Sequence, residues 1–264
     1  MITDKSKIAI LTTVVNFELY DITSKKFPNE IQKYVIDGTA GMHGIESLYF
    51  MMKKLKGRGI EWLIMADEDV IFSNSNAVFT IIDFMNKEDV TVCGVRDGGE
   101  INHRTQNPWA INTFFSILNF KTIENIWNKR EVMKHQYVLD NEFNDDLSNL
   151  QIGYDTKSLF EPYYCFYFWL RRNSKDFLFL DTLMHDDNIA NKVLFNNEVF
   201  LHHTWYARSY GVNKKHTNRI NAILEKTSNS LVLNNNQEDN VIVFKDNNYL
   251  LKKKLKRIIK KLFK

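Results

Sequence analysis

The sequence predicts an α/β domain built on a mostly parallel central sheet flanked by helices. Three observations predict it. Short apolar runs rich in β-branched residues, such as KIAILTTVV at residues 7–15, read as strands buried on both faces. Between them lie stretches whose apolar residues recur at helical spacing. The two kinds alternate through the early part of the chain, as a parallel sheet requires, because parallel neighbours need a long crossover.

KIAILTTVV is the first strand. After a polar stretch with Pro28, KYVID forms a short second strand ending at Asp37, and GTAGMHG supplies turn glycines. Ile45, Leu48, Tyr49, Met52 and Leu55 then mark a helix, which Gly57 and Gly59 end. EWLIMA is the next strand, NAVFTIIDFMNK a second helix and VTVCGV another strand. RDGGEINHRTQNP reads as a long polar loop and INTFFSILNF as a strand near the sheet. Residues 121–155 are expected to be helix and irregular structure, and EPYYCFYFWLRR a helix on account of its length. DFLFL and NEVFLHHTWY are late strands, and TNRINAILEK is a closing helix. The predicted organisation is one domain over 1–226, a linker or irregular segment over 227–250, and a basic tail over 251–264. SNSLVLNNNQEDN, polar and Asn-rich, marks the linker.

A chain of 264 residues, 44% hydrophobic, can bury one sizeable core. Cys93 and Cys165 sit in apolar segments, which fits reduced thiols of a cytosolic protein better than a disulfide framework. MITDKSKIAIL mixes charges into a short apolar run, so no secretion signal is expected, and no uncharged apolar stretch is long enough to span a membrane. The net charge of +3 conceals an asymmetry. Lys252 to Lys264 carry eight basic side chains and no acid; without them 27 Lys and Arg face 32 Asp and Glu, a net charge of −5. The body is acidic and the tail is basic.

LIMADEDVIF, residues 63–72, delivers an apolar strand into Asp67, Glu68 and Asp69. Side chains alternate on extended chain, so Asp67 and Asp69 point one way and Glu68 the other. Carboxylates outside the C-terminal end of a parallel strand lie where open α/β sheets bind ligands. Such oxygen ligands suit Mg²⁺ or Mn²⁺, which take further ligands from substrate phosphates. A solvated loop cap is the plain alternative.

WLIMADEDVIF resembles the Asp-x-Asp segment of GT-A glycosyltransferases, and residues 7–95 follow the element order of that fold's nucleotide-binding half. The resemblance implies a GT-A-like, Rossmann-related fold and sugar transfer from a nucleotide-diphosphate donor, a UDP-sugar being favoured. It also implies a late-strand histidine completing the metal site and a basic loop over the diphosphate. In NEVFLHHTWYARSYG these are His202 or His203, with His203 preferred, followed by Arg208, Lys214 and Lys215. Base and ribose would lie near Thr12 and Asp37. Asp37 could bind a uracil N–H or merely make an Asx turn, since Asp37-Gly38-Thr39 only echoes the family's Asp-Gly-Ser. An inverting enzyme needs a general base, for which FEPYYCFYFWLRR offers Glu161. Glu161 could equally stabilise a helix start, and Asp155 and Asp145-Asp146 are rivals.

In the tail, Leu251, Leu255, Ile258, Ile259, Leu262 and Phe263 form one helical stripe among lysines. A basic amphipathic helix of this kind suits an anionic membrane surface better than nucleic acid, which needs no apolar stripe. The combined expectation is a metal-dependent transferase acting on a glycan or lipid-linked acceptor in bacterial cell-surface polysaccharide synthesis, peripheral at the inner face of the cytoplasmic membrane. Two alternatives remain. A sugar nucleotidyltransferase would usually carry a Gly-rich loop after the first strand, which TTVVNFELYD lacks, and a membrane-bound scaffold would fail to bind nucleotide sugar.

Overall fold

The computed structural model describes residues 4–228 and 240–262. In chain order the elements are β1 (Ile8–Val14), α1 (Phe17–Thr23), β2 (Gln32–Asp37), α2 (Ile45–Leu55), β3 (Trp62–Ala66), β4 (Val70–Phe72), α3 (Ala77–Lys87), β5 (Val92–Arg96), β6 (Gly98–Ile101), β7 (Arg104–Thr105) and β8 (Ile111–Asn119). There follow α4 (Phe120–Ile126), α5 (Lys129–Met133), α6 (Tyr164–Arg172), β9 (Phe177–Phe179), β10 (Asp181–Met184), β11 (Asn191–Phe195), β12 (Glu198–His203), α7 (Lys214–Ser228), β13 (Val241–Phe244) and α8 (Tyr249–Leu262).

A seven-stranded sheet runs β13-β2-β1-β3-β8-β5-β9. All its pairings are parallel except those of β8, which runs against β3 and β5. The alternation of strand residues divides the core. Ala9 and Leu11 of β1 pack with α2 and α6, whereas Ile8, Ile10 and Val14 face Val78, Ile81, Ile82 and Met85 of α3. A strand buried on both faces has no polar positions to spare, which is why β1 reads as one apolar run.

The expected strands and helices of residues 7–95 are present, and the departures have physical causes. RDGGEINHRTQNP is a β6–β7 hairpin rather than a loop. Its polar side chains hid it, but Gly98 permits the close pairing, since a Cβ there would lie 2.1 Å from the Gln106 carbonyl oxygen. Because the chain returns through this hairpin, β8 enters the sheet antiparallel. A second, four-stranded antiparallel sheet, β10-β11-β12-β4, was not legible as a unit, because its strands are short and spread along the chain. Helix α6 starts at Tyr164, so Glu161 and Pro162 precede it rather than opening it. Within the segment expected to be linker, Val241–Phe244 instead form β13, an edge strand parallel to β2. Residues 229–239 of that segment, and 263–264 of the tail, lie outside the described residues. No described helix is long and apolar enough to cross a membrane.

Candidate active site

The acidic triplet turns between the two sheets. Asp67 N donates to the Phe114 carbonyl and Val70 N to the Asp67 carbonyl, ending β3 in a tight turn that starts β4. β4 then pairs with β12 in the register His203↔Val70, which brings His203 alongside Asp69. Thr204 fastens the junction: its N and Oγ1 both donate to the Asp69 carbonyl, at 3.0 and 3.1 Å. The His203 Nε2–Asp69 Oδ1 distance is 3.3 Å. His202, on the opposite face of β12, meets His185 through a 2.9 Å Nδ1–Nε2 contact.

Asp67, Asp69 and His203 line a cavity of about 570 Å³ at the C-terminal ends of β1 and β3. That volume is in the range of small-molecule sites, and the position is where open α/β sheets bind ligands. Asp67, Glu68, Asp69, His203, Arg208 and Glu161 all contribute to its wall. Glu68 is engaged by backbone: its carboxylate accepts from Val15 N (2.9 Å) and Asn16 N (3.1 Å), holding the β1–α1 connection. Burial, with the Asp69 charge alongside, still pushes its carboxyl up to about 7. Burial together with Glu68 and Asp69 also raises Asp67 well above the usual carboxylate range, and Arg208 opposes the rise. Among the described residues, no hydrogen bond or ion pair meets the Asp67 carboxylate.

That imbalance bears on a metal. Among the described residues no three His, Cys, Asp or Glu side chains form a cluster able to enclose an ion. A Mg²⁺- or Mn²⁺-type site needs fewer, since such ions take one or two protein carboxylates and fill their shell with water and substrate phosphate. Asp69 and His203 offer one oxygen and one nitrogen on the same side, with the unmatched Asp67 close by. Packing fixes the His203 ring, which stacks on Phe114 (4.0 Å, 10°) and leans on Trp205 (4.2 Å). The donor set fits a divalent cation.

The loop beyond His203 closes the wall. Trp205 and Tyr206 are consecutive aromatics with φ of 58° and 65°. Bulky residues in the left-handed region cost of order 1–3 kcal/mol each, and such strain gathers at ligand sites. The strain is held by Trp205 Nε1 donating to Asn191 (2.9 Å), by Arg219 donating to the Trp205 carbonyl (3.0 Å), and by Tyr206 stacking on His216 (4.2 Å). Asn16 Nδ2 donates to the carbonyls of Ala207 and Tyr210, both at 2.9 Å, tying this loop to the start of α1 and setting Arg208 at the pocket.

On the far wall stands a network that no sequence feature announced. Asp97, fully buried, accepts from Arg104 Nε (2.7 Å) and Nη2 (2.6 Å), from Asn112 (2.6 Å), from Tyr163 (3.1 Å) and from Tyr164. Arg104 Nη2 also donates to Glu161 Oε1 at 3.1 Å. The only sequence signal was indirect: Glu161 precedes two tyrosines, and Arg104 sits in a hairpin that reads as loop.

The remaining sequence-derived candidates stand elsewhere. Asp37 is not in the pocket wall: Oδ1 accepts from Thr39 N (3.0 Å) and Oγ1 (2.5 Å), an Asx turn, and Oδ2 pairs with Lys245 at 2.9 Å. Thr12 is buried on the other side of β1, and its neighbour Thr13 lines the pocket instead. Lys214 and Lys215 are exposed at the start of α7, outside the wall. Asp155 makes an Asx turn with Lys157 N (2.9 Å), and Asp145 is held by Arg96 and Arg171.

No protein-family model matches the sequence, and no curated protein matches it. Among solved structures, the chain is similar to a mannosyltransferase, PcManGT from Pyrobaculum calidifontis, in complex with GDP-Man and Mn²⁺. That match has 8% identity, covers 47% of each chain and has a TM-score of 0.29. It is also similar to a glycosyltransferase involved in glycosylation of the major capsid of PBCV-1, at 18% identity over 45% of this chain and 63% of that one, with a TM-score of 0.27. Both similar structures are glycosyltransferases, and the chain spans less than two thirds of the length of either. At TM-scores this low, chemistry has to be read from the pocket itself.

Proposed function

We propose that the chain is a metal-dependent glycosyltransferase, moving a sugar from a nucleoside-diphosphate donor to a glycan or lipid-linked acceptor. The observation that carries the reading is the meeting of Asp69 with His203 beside the unmatched Asp67, at the ligand edge of a parallel sheet. One or two of Asp67, Asp69 and His203 would hold Mn²⁺ or Mg²⁺, with water and donor phosphate filling the rest of the shell. When bound, the ion neutralises the donor diphosphate and stabilises it as it leaves. Arg208 faces the same charge from the Trp205 loop. The uridine preference loses its residue support, since the Asp37 carboxylate is already engaged.

Glu161, in the wall of the same pocket, would serve the acceptor. In an inverting transfer the acceptor oxygen attacks the anomeric carbon, the carbon–oxygen bond to the diphosphate breaks, and Glu161 takes the hydroxyl proton. Arg104 orients that carboxylate, and Asp97 orients Arg104. A retaining transfer would leave Glu161 only to position the acceptor.

Attachment to an anionic membrane surface belongs to the same reading. Leu251, Leu255, Ile258 and Ile259 of α8 are exposed among lysines, and each basic residue near such a surface contributes on the order of 1 kcal/mol. Thermal unfolding with nucleoside diphosphates and nucleotide sugars, each with and without Mn²⁺, tests the function. A ligand at 100 times its Kd stabilises by about 2.7 kcal/mol. A metal-dependent rise with one base family supports transfer; no rise with any of them removes the proposal.

A further inference from the structure

A second recess lies between α2, the start of α5 and the root of α8. It has a volume of about 150 Å³ and is walled by Lys53, Lys129, Lys252 and Lys253. Met42, Tyr49 and Phe50 supply apolar surface, and Glu46 and Asp246 are the acids present. Both acids are engaged. Lys252 Nζ holds Asp246 at 2.9 and 2.8 Å, and Glu46 accepts from the Tyr249 hydroxyl. Lys253 Nζ reaches the Gly41 carbonyl (3.4 Å) and the Tyr249 hydroxyl (3.2 Å). Lys129 lies over the Tyr49 ring at 4.3 Å. Among the described residues, Lys53 and Lys129 have no carboxylate partner within ion-pair distance. Ammonium groups from three elements therefore converge on one recess with less carboxylate than they need, an arrangement that focuses positive potential where an anion would sit.

We propose that this recess binds the phosphate headgroup of a membrane lipid. The choice of a lipid over free phosphate rests on continuity along one helix: α8, which supplies Lys252 and Lys253 to the recess, also carries the exposed apolar residues Leu251, Leu255, Ile258 and Ile259. The headgroup sits among the lysines while the helix face meets the acyl boundary. The inference rests on membrane attachment as proposed above and deepens it. It also gives the attachment a consequence for the active site. The Gly41 carbonyl accepts from Tyr249 (3.0 Å) and Lys253, while His43 and Gly44 of the same loop line the large pocket. The loop from Gly41 to Gly44 thus joins the recess to the wall of that pocket.

The test compares binding of the full chain to phosphatidylcholine vesicles containing phosphatidic acid or phosphatidylglycerol, at matched surface charge, followed by co-sedimentation. Lys53→Ala/Lys129→Ala removes two walls of the recess and leaves α8 untouched; Lys25→Ala/Lys56→Ala removes two exposed lysines outside both the recess and α8. The expected result is tighter binding to the exposed phosphomonoester of phosphatidic acid. The recess variant should lose that preference, with affinity falling roughly thirtyfold for two charges, while the control variant keeps it. Equal weakening of both variants on both vesicles would mean diffuse attraction and overturn the recess while leaving membrane attachment standing. No binding to either vesicle would overturn both. Inorganic phosphate stabilising the wild type but not the recess variant, without any vesicle preference, would make the ligand free phosphate and overturn the lipid assignment.

Discussion

Replacing Asp97 by Asn is the sharpest structural perturbation this fold offers. The carboxylate is fully buried and accepts five hydrogen bonds from four residues, every one of them a donor. An amide supplies one acceptor oxygen and turns an NH₂ group toward donors, whichever way it is flipped. Arg104, with a side chain 15% exposed, would be left with Glu161 as its one counter-charge among the described residues. Breaking a buried pair from one side typically costs about 3–5 kcal/mol. Against a total stability of about 5–15 kcal/mol, Asp97→Asn should survive folding but with much reduced resistance to urea. With a slope of about 2–3 kcal/mol/M, the midpoint should fall by roughly 1–2 M at unchanged slope. Asp97→Leu/Arg104→Met should cost less than the sum of its single changes, because it removes the uncompensated charge along with its partner. An Asp97→Asn variant within about 1 kcal/mol of wild type, or strict additivity in the double variant, would refute the network as described.

Other consequences follow from the same geometry. Glu161→Gln should lose transfer by about 10²-fold or more while donor binding, read by thermal shift, is retained; equal activity would remove Glu161 as base. His203→Ala should weaken Mn²⁺ binding while His202→Ala leaves it unchanged, because the two rings face opposite sides of β12; titration calorimetry reads both. Glu100, raised by burial to about 7 from the usual 4.5, holds its proton to higher pH in the folded chain than in the unfolded one. The stability it contributes is therefore present at low pH and lost as pH rises from about 4.5 to 7. Glu100→Gln should abolish that loss, a difference of about 1–2 kcal/mol after discounting for its partial exposure, seen in urea titrations at about pH 5 and pH 8.

The sheet was legible because burial on both faces leaves an unmistakable apolar run, as in residues 8–11 and 62–66, and because α2 and α3 carry clean helical periodicity. Asp67 and Asp69 were legible because carboxylates at the end of such a run are costly. A late-strand histidine was expected from the family resemblance, and alternation says only that His202 and His203 face opposite ways; the register that sets His203 beside Asp69 was not legible, because β4 is three residues long and pairs with a strand far along the chain. Arg104 and Asp97 were hidden for the same reason: their meaning comes from tertiary pairing across a polar hairpin and a helix start, where neither neighbour has a sequence period. Asp37 stayed open between two readings because an Asx turn and a base-reading carboxylate occupy the same place in a strand–glycine sequence; the structure shows the turn.

If a divalent cation joins this acidic pocket to a diphosphate, the two ligands must be linked, and measuring that linkage is the most direct test. Equilibrium titration of a nucleoside diphosphate should be carried out with Mn²⁺ and with chelator, in wild type and Asp69→Ala. Mn²⁺ should tighten nucleotide binding, nucleotide should tighten Mn²⁺ binding by the same factor, and both effects should vanish in the variant. Nucleotide binding of equal strength in chelator, or unchanged metal linkage in Asp69→Ala, would contradict a metal-bridged donor site.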